Sequence, residues 1–120
     1  MTERLQDTIE VIESGYEFLL AYAAQGRDSD GGRPSEVRNV LTGMQKAAAD
    51  IVELMQTQNH EFAPVVSDDA RKSGAAIALV LRQQKIGSEI VDNLNASIHL
   101  RALLTDLFLV SEAVTSGGTA

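Results

Sequence analysis

The sequence predicts an all-α fold, an antiparallel four-helix bundle, with a three-helix variant if the last two segments form one long helix. Three observations predict this class. Apolar residues recur at steps of three and four, the spacing that places them on one face of a helix. No segment alternates apolar and polar residues over a useful length, so strands have little support. Turn-forming stretches divide the chain into segments of about 20 to 28 residues, joined by short loops that favour antiparallel neighbours.

The first two segments are predicted amphipathic helices, separated by a linker at residues 26–34 that is dense in Gly, Asp, Ser and Pro. Pro34 suits the first turn of the second helix. The apolar stripe of the first helix consists of Leu5, Ile9, Ile12, Tyr16, Leu19 and Ala23. The stripe of the second helix consists of Val37, Val40, Leu41, Met44, Ala47, Ala48, Ile51 and Met55. Each stripe is long enough to face a common core.

The third segment begins after a break at residues 62–66, because Pro64 cannot continue a helix and biases Ala63 toward extended geometry. Ser67 is then placed to cap the third helix. Residues 75–81 are apolar all the way round the helix, which is typical of a helix surrounded by others.

A further break is predicted at Gly87 and Ser88, where Gly87 would end one helix and Ser88 would be the N-cap of the next. If this break fails, a single helix runs from about residue 68 to residue 115 and the bundle has three members. The whole chain, residues 1–120, is predicted to be one domain, with residues 115–120 forming a flexible tail.

The last helix carries apolar residues on two opposite faces, and the change of side falls near Ile98. One small core seldom needs both faces, and an exposed apolar patch on a small protein usually marks an interface. The sequence therefore predicts self-association, as a homodimer, through the C-terminal helix. The predicted association residues are Leu100, Leu103, Leu104, Leu107, Phe108, Val110 and Val114.

Composition and charge exclude several partners. The chain has 17 Asp and Glu against 10 Lys and Arg, a net charge of -7, which argues against nucleic acid and anionic membrane. It contains no Cys, so thiolate metal sites and cysteine nucleophiles are excluded. The first residues lack the apolar region of a secretory signal, and no run is long enough to span a bilayer, so we expect a cytoplasmic protein.

Candidate chemistry is weak. Carboxylate, amide and histidine side chains recur at i, i+3, i+7 on three predicted helices, but no Glu-x-x-His pair is present and most of these residues project to the polar faces. We therefore expect no metal, no cofactor and no catalytic residue. His60 and His99 are the candidates for a phosphoacceptor. The run from His60 to Pro64 partly resembles the His-Glu-x-Arg-x-Pro motif of histidine kinase dimerisation helices, with Ala63 in place of Arg and proline one residue early.

The functional expectation is a non-enzymatic protein-interaction module, an adaptor, chaperone, assembly factor or regulatory subunit, that binds a protein partner. The alternative is a histidine-phosphotransfer-like or metal-binding helical bundle.

Overall fold

The computed structural model describes residues 3–32 and 34–117, and side chains as far as residue 113. Five α-helices occur in this part of the chain, and no strand does. Their bounds are α1 (Glu3–Ala24), α2 (Glu36–Met55), α3 (Ala63–Leu81), α4 (Ser88–Ala96) and α5 (Ile98–Gly117). The predicted all-α class is confirmed, whereas the number of helices exceeds the four that the breaks in the sequence indicate.

The amphipathic faces predicted for α1 and α2 point into the core. Ile12, Leu19, Leu41 and Ile51 are fully buried, because their spacing keeps them on one side of each helix. Ser35 is the N-cap of α2, and its hydroxyl accepts a hydrogen bond from the backbone N–H three residues later.

Helix α3 begins five residues earlier than the predicted cap at Ser67 implies. Its first residue is Ala63, and Pro64 lies in the first turn, where a missing N–H costs nothing. Ser67 therefore lies inside the helix, and its prediction as the N-cap is wrong.

The predicted break at Gly87 is confirmed, although its details differ. Helix α3 ends at Leu81 and α4 begins at Ser88. A Cβ at Gly87 would lie 2.9 Å from the backbone oxygens of Arg27 and Asp28, so glycine is required by the close approach of two loops. Ser88 does not cap its own helix, since its hydroxyl accepts from Arg27 N (2.8 Å) and donates to Tyr22 O (2.7 Å).

A second break, at Ser97, separates α4 from α5. Ser97 has extended backbone angles (φ −62°, ψ 139°), and its Oγ accepts a 3.3 Å hydrogen bond from Leu100 N. Helix α5 therefore begins with a new rotation about its axis, and the positions that face the core differ from those that a continuous helix would place there. This break is why the apolar stripe changes side near Ile98, and the change does not require a second chain.

The buried apolar side chains of all five helices form one core. Helix α2 packs between α1 and α3, while α1 also packs on α4 and α3 on α5. The start of α1 lies beside the end of α2, where Arg4 pairs with Asp50. The Ser73 hydroxyl donates to His99 O at 2.9 Å and so ties the middle of α3 to the start of α5. In the described residues, no helix combines the length and hydropathy required to cross a membrane.

Candidate functional site

Most of the predicted association residues lie in the core of a single chain. Among the predicted residues whose side chains are described, only Phe108 is exposed, at 55%. The remainder of that set is buried at 8% exposure or less: Leu100, Leu103, Leu104, Leu107 and Val110. The prediction that these five form an exposed patch is wrong, because the break at Ser97 turns them toward α1 and α3. Val114 lies outside the residues whose side chains are described.

A different apolar set faces outward. Seven large apolar side chains of the described residues are at least 40% exposed. Two are on α1, and the other five are on α3 and α5: Val65, Leu79, Ile98, Phe108 and Leu109. Phe108 and Leu109 are adjacent in mid-helix, where fraying does not account for their exposure. Leu109 is not among the predicted association residues, because it lies off the apolar stripe of steps three and four that those residues follow.

The polar residues on the outer side of α5 form a stripe together with Phe108. Arg101, Thr105, Phe108 and Glu112 follow one another at steps of four, three and four, and all four are exposed. At about 100° per residue these positions fall within an arc of about 60°, and the buried Leu103 lies on the opposite side of the helix. We call these four residues the α5 outer stripe.

A carboxyl pair lies where α3 meets α5. Asp106 is only 7% exposed, and its Oδ2 has no hydrogen-bond partner in the described residues. Burial, together with a hydrogen bond to the half-buried Asp69 carboxylate and repulsion from it, raises the pKa of Asp106 to about 7. Asp106 is therefore partly protonated at neutral pH. No prediction from the sequence singles out Asp106, although a lone acidic residue within the largely apolar run from Leu103 to Val110 could have marked this position.

Among the described residues, no cation forms an ion pair with either carboxyl of this pair. Arg71 and Lys72, which follow Asp69 along α3, both pair with the partly exposed Asp68. The Lys72 Nζ lies 3.1 Å from Asp68 Oδ2. Asp106 consequently keeps the burial penalty that a salt bridge would offset.

A buried ion pair at the other end of the molecule has a structural role. The Asp30 and Arg38 side chains are 1% and 7% exposed, and Arg38 Nε donates to Asp30 Oδ2 at 2.7 Å. Arg38 also donates to the backbone oxygens of Leu81, Gln83 and Gln84. The pair therefore joins the α1–α2 linker and the start of α2 to the segment after α3.

Both carboxylate oxygens of Asp30 accept hydrogen bonds. Its Oδ2 also accepts from the Ser35 hydroxyl at 2.7 Å, and its Oδ1 accepts from the N–H groups of Ile86 and Gly32. Burial by itself raises the pKa of this carboxyl, but these hydrogen bonds and the Arg38 guanidinium outweigh it and hold the pKa well below its usual range. Because both carboxylate oxygens already accept hydrogen bonds from the protein, this ion pair is assigned a structural role and not a ligand-binding one.

The two candidate phosphoacceptors are separated along the chain and differ in setting. His60 is exposed in the turn between α2 and α3, and His99 is exposed in the first turn of α5. Neither imidazole makes a hydrogen bond or ion pair within the described residues. In that part of the chain, no three His, Asp or Glu side chains lie close enough together to hold a metal ion.

Comparisons with protein-family models, with curated proteins and with solved structures find no match for this chain.

Proposed function

We propose that this protein is a non-enzymatic protein-interaction module that self-associates through the outer side of α5. The observation that carries the proposal is the exposure of Phe108 (55%) and Leu109 (54%) in the middle of a helix. Adjacent large apolar side chains at such a position favour burial against another protein surface. Aromatic residues in particular contribute strongly to protein interfaces.

We also propose that the five helices form an antiparallel four-helix bundle whose fourth member is α4 and α5 together. Two contacts support this arrangement. The Tyr22 hydroxyl, near the end of α1, donates to Ile86 O at 2.6 Å, just before the start of α4. The second contact joins Asp69, in the first half of α3, to Asp106, near the middle of α5. Ser73, further along α3, contacts His99 at the start of α5, so these two helices run in opposite directions. In this arrangement the outer side of α5 is left free of other helices.

The oligomeric state tests the proposed function. Light scattering at micromolar concentration is expected to give the mass of a dimer, and Phe108→Asp is expected to give a monomer that remains folded by circular dichroism. Leu20→Asp on α1 is the matched control, because Leu20 is exposed to a similar extent (48%). This control should leave the dimer intact. A monomeric wild-type protein, or equal effects of the two substitutions, would refute self-association through α5.

Leu107 is unsuitable for this test, although it belonged to the predicted patch. It is fully buried, so an aspartate there would destabilise the fold itself.

A further inference from the structure

The charges of the α5 outer stripe are arranged so that the stripe complements a second copy of itself. Arg101 lies near the N-terminal end of the stripe and Glu112 near its C-terminal end, and both are exposed. Neither takes part in an ion pair within the described residues, whereas Arg4, Lys46, Arg71 and Lys72 all do. Two opposite charges of one stripe are therefore available to a partner.

The order of these charges selects an orientation. In a parallel pairing in register, Arg101 would face Arg101 of a second copy, and Glu112 would face Glu112. In an antiparallel pairing, each Arg101 faces the Glu112 of the other copy, which gives two ion pairs related by a two-fold axis. Like charges directly opposed across an interface disfavour the parallel alternative.

The apolar part of the stripe fits the same alignment. The midpoint between Arg101 and Glu112 falls between residues 106 and 107, and so does the midpoint between Thr105 and Phe108. One antiparallel register therefore brings each Phe108 against the smaller Thr105 of the other copy while forming both ion pairs. A large side chain opposite a small one allows close helix packing.

We propose that the partner of α5 is a second copy of this chain, paired antiparallel along the α5 outer stripe about a two-fold axis level with residues 106 and 107. This inference rests on the proposed self-association and specifies its geometry. The Arg101–Glu112 pairs fix the orientation, and Phe108 supplies the apolar contact.

Charge exchange tests the ion pairs. Arg101→Glu alone, or Glu112→Arg alone, replaces both attractions with repulsions and should weaken dimerisation roughly tenfold in sedimentation equilibrium, given the modest strength of surface ion pairs. The double variant restores the complementarity and should return the dissociation constant to within about threefold of the wild type. Lys46→Glu is the control, because it also reverses a surface charge, at a side chain of α2 that is 79% exposed, and it should leave the dissociation constant unchanged.

Single thiols test the register, since the chain contains no native Cys. At a rise of about 1.5 Å per residue, two copies of residue 105 lie about 4.5 Å apart along the axis, whereas two copies of residue 98 lie about 25 Å apart. Thr105→Cys should therefore form an intermolecular disulfide readily and Ile98→Cys should not. A parallel dimer would crosslink at both positions.

The outcomes separate this inference from the proposed function. A dimer that depends on Phe108 but shows no rescue by the double charge exchange, or crosslinks equally at both thiols, would overturn the antiparallel pairing and leave self-association through α5 standing. A dimer indifferent to Phe108→Asp, or a monomeric wild type, would overturn both. Rescue by charge exchange together with selective crosslinking at residue 105 would support the pairing.

Discussion

Replacing Asp106 with Asn should remove most of the dependence of stability on pH between 5 and 8. In the folded chain the pKa of Asp106 is raised to about 7, from an ordinary value of 3.8 that applies when the chain is unfolded. Because the folded pKa is the higher one, the stability that the protonated carboxyl contributes is fully present below about pH 4 and is lost as the pH rises through 7. Asparagine has the same shape and stays neutral throughout.

The magnitude follows from the two pKa values. Each unit of difference corresponds to about 1.4 kcal/mol, so an isolated carboxyl with these values would lose between 2 and 3 kcal/mol, roughly, from pH 5 to pH 8. Part of the raised pKa of Asp106 comes from its neighbour Asp69, which is only half-buried, so we take the smaller figure. The wild type should therefore lose roughly 2 kcal/mol of unfolding free energy over this range relative to Asp106→Asn.

Urea denaturation at pH 5 and pH 8, followed by circular dichroism, measures this difference. Asp106→Asn should match the wild type closely at pH 5 and be more stable at pH 8. Asp69→Asn should shift the transition to lower pH, because it removes the repelling carboxylate. Asp68→Asn, one residue from Asp69 and partly exposed, should keep the pH dependence of the wild type between pH 5 and pH 8. If wild type and Asp106→Asn change equally between pH 5 and pH 8, the inference that the buried carboxyl is protonated is wrong.

Two further predictions concern the fold. Asp30→Ala should destabilise the protein by about 3 to 5 kcal/mol in chemical denaturation, because it strands the buried Arg38 guanidinium; a loss under about 1 kcal/mol would contradict this. Because the folded pKa of Asp30 is depressed, its contribution should be complete above about pH 4 and fade in stronger acid. Gly15→Ala should lower the melting temperature, since its Cβ would lie 2.5 Å from Met44 Cγ, while Gly43→Ala, with open space around it, should raise it. Equal shifts for the two glycines would refute the packing argument.

The sequence allowed the helical class and most of the core to be predicted. Helical periodicity is a local property, so the buried faces of α1 and α2 could be read from residue spacing alone. The break before Ser88 could also be predicted, because Gly87 interrupts the pattern locally. Phe108 was among the predicted association residues, and it is exposed. That prediction assumed an exposed apolar stripe, whereas the other residues of the stripe whose side chains are described are buried.

The rest depended on contacts between distant segments. Asp30 and Arg38 lie eight positions apart in the sequence, and Arg38 also donates to the backbone oxygen of Leu81, more than 40 positions further along the chain. No local sequence pattern specifies such contacts. The Asp69–Asp106 pair likewise exists only because α3 and α5 pack together.

The sequence by itself determined that the last segment is helical and carries apolar residues on two sides. Only the tertiary structure decided which side meets solvent. Ser97 interrupts the helix, so Leu100 and Leu107 turn into the core while Phe108 and Leu109 turn outward. The physical reason is that a break in a helix resets its phase, and the direction after the break is set by packing against the neighbouring helices α1 and α3.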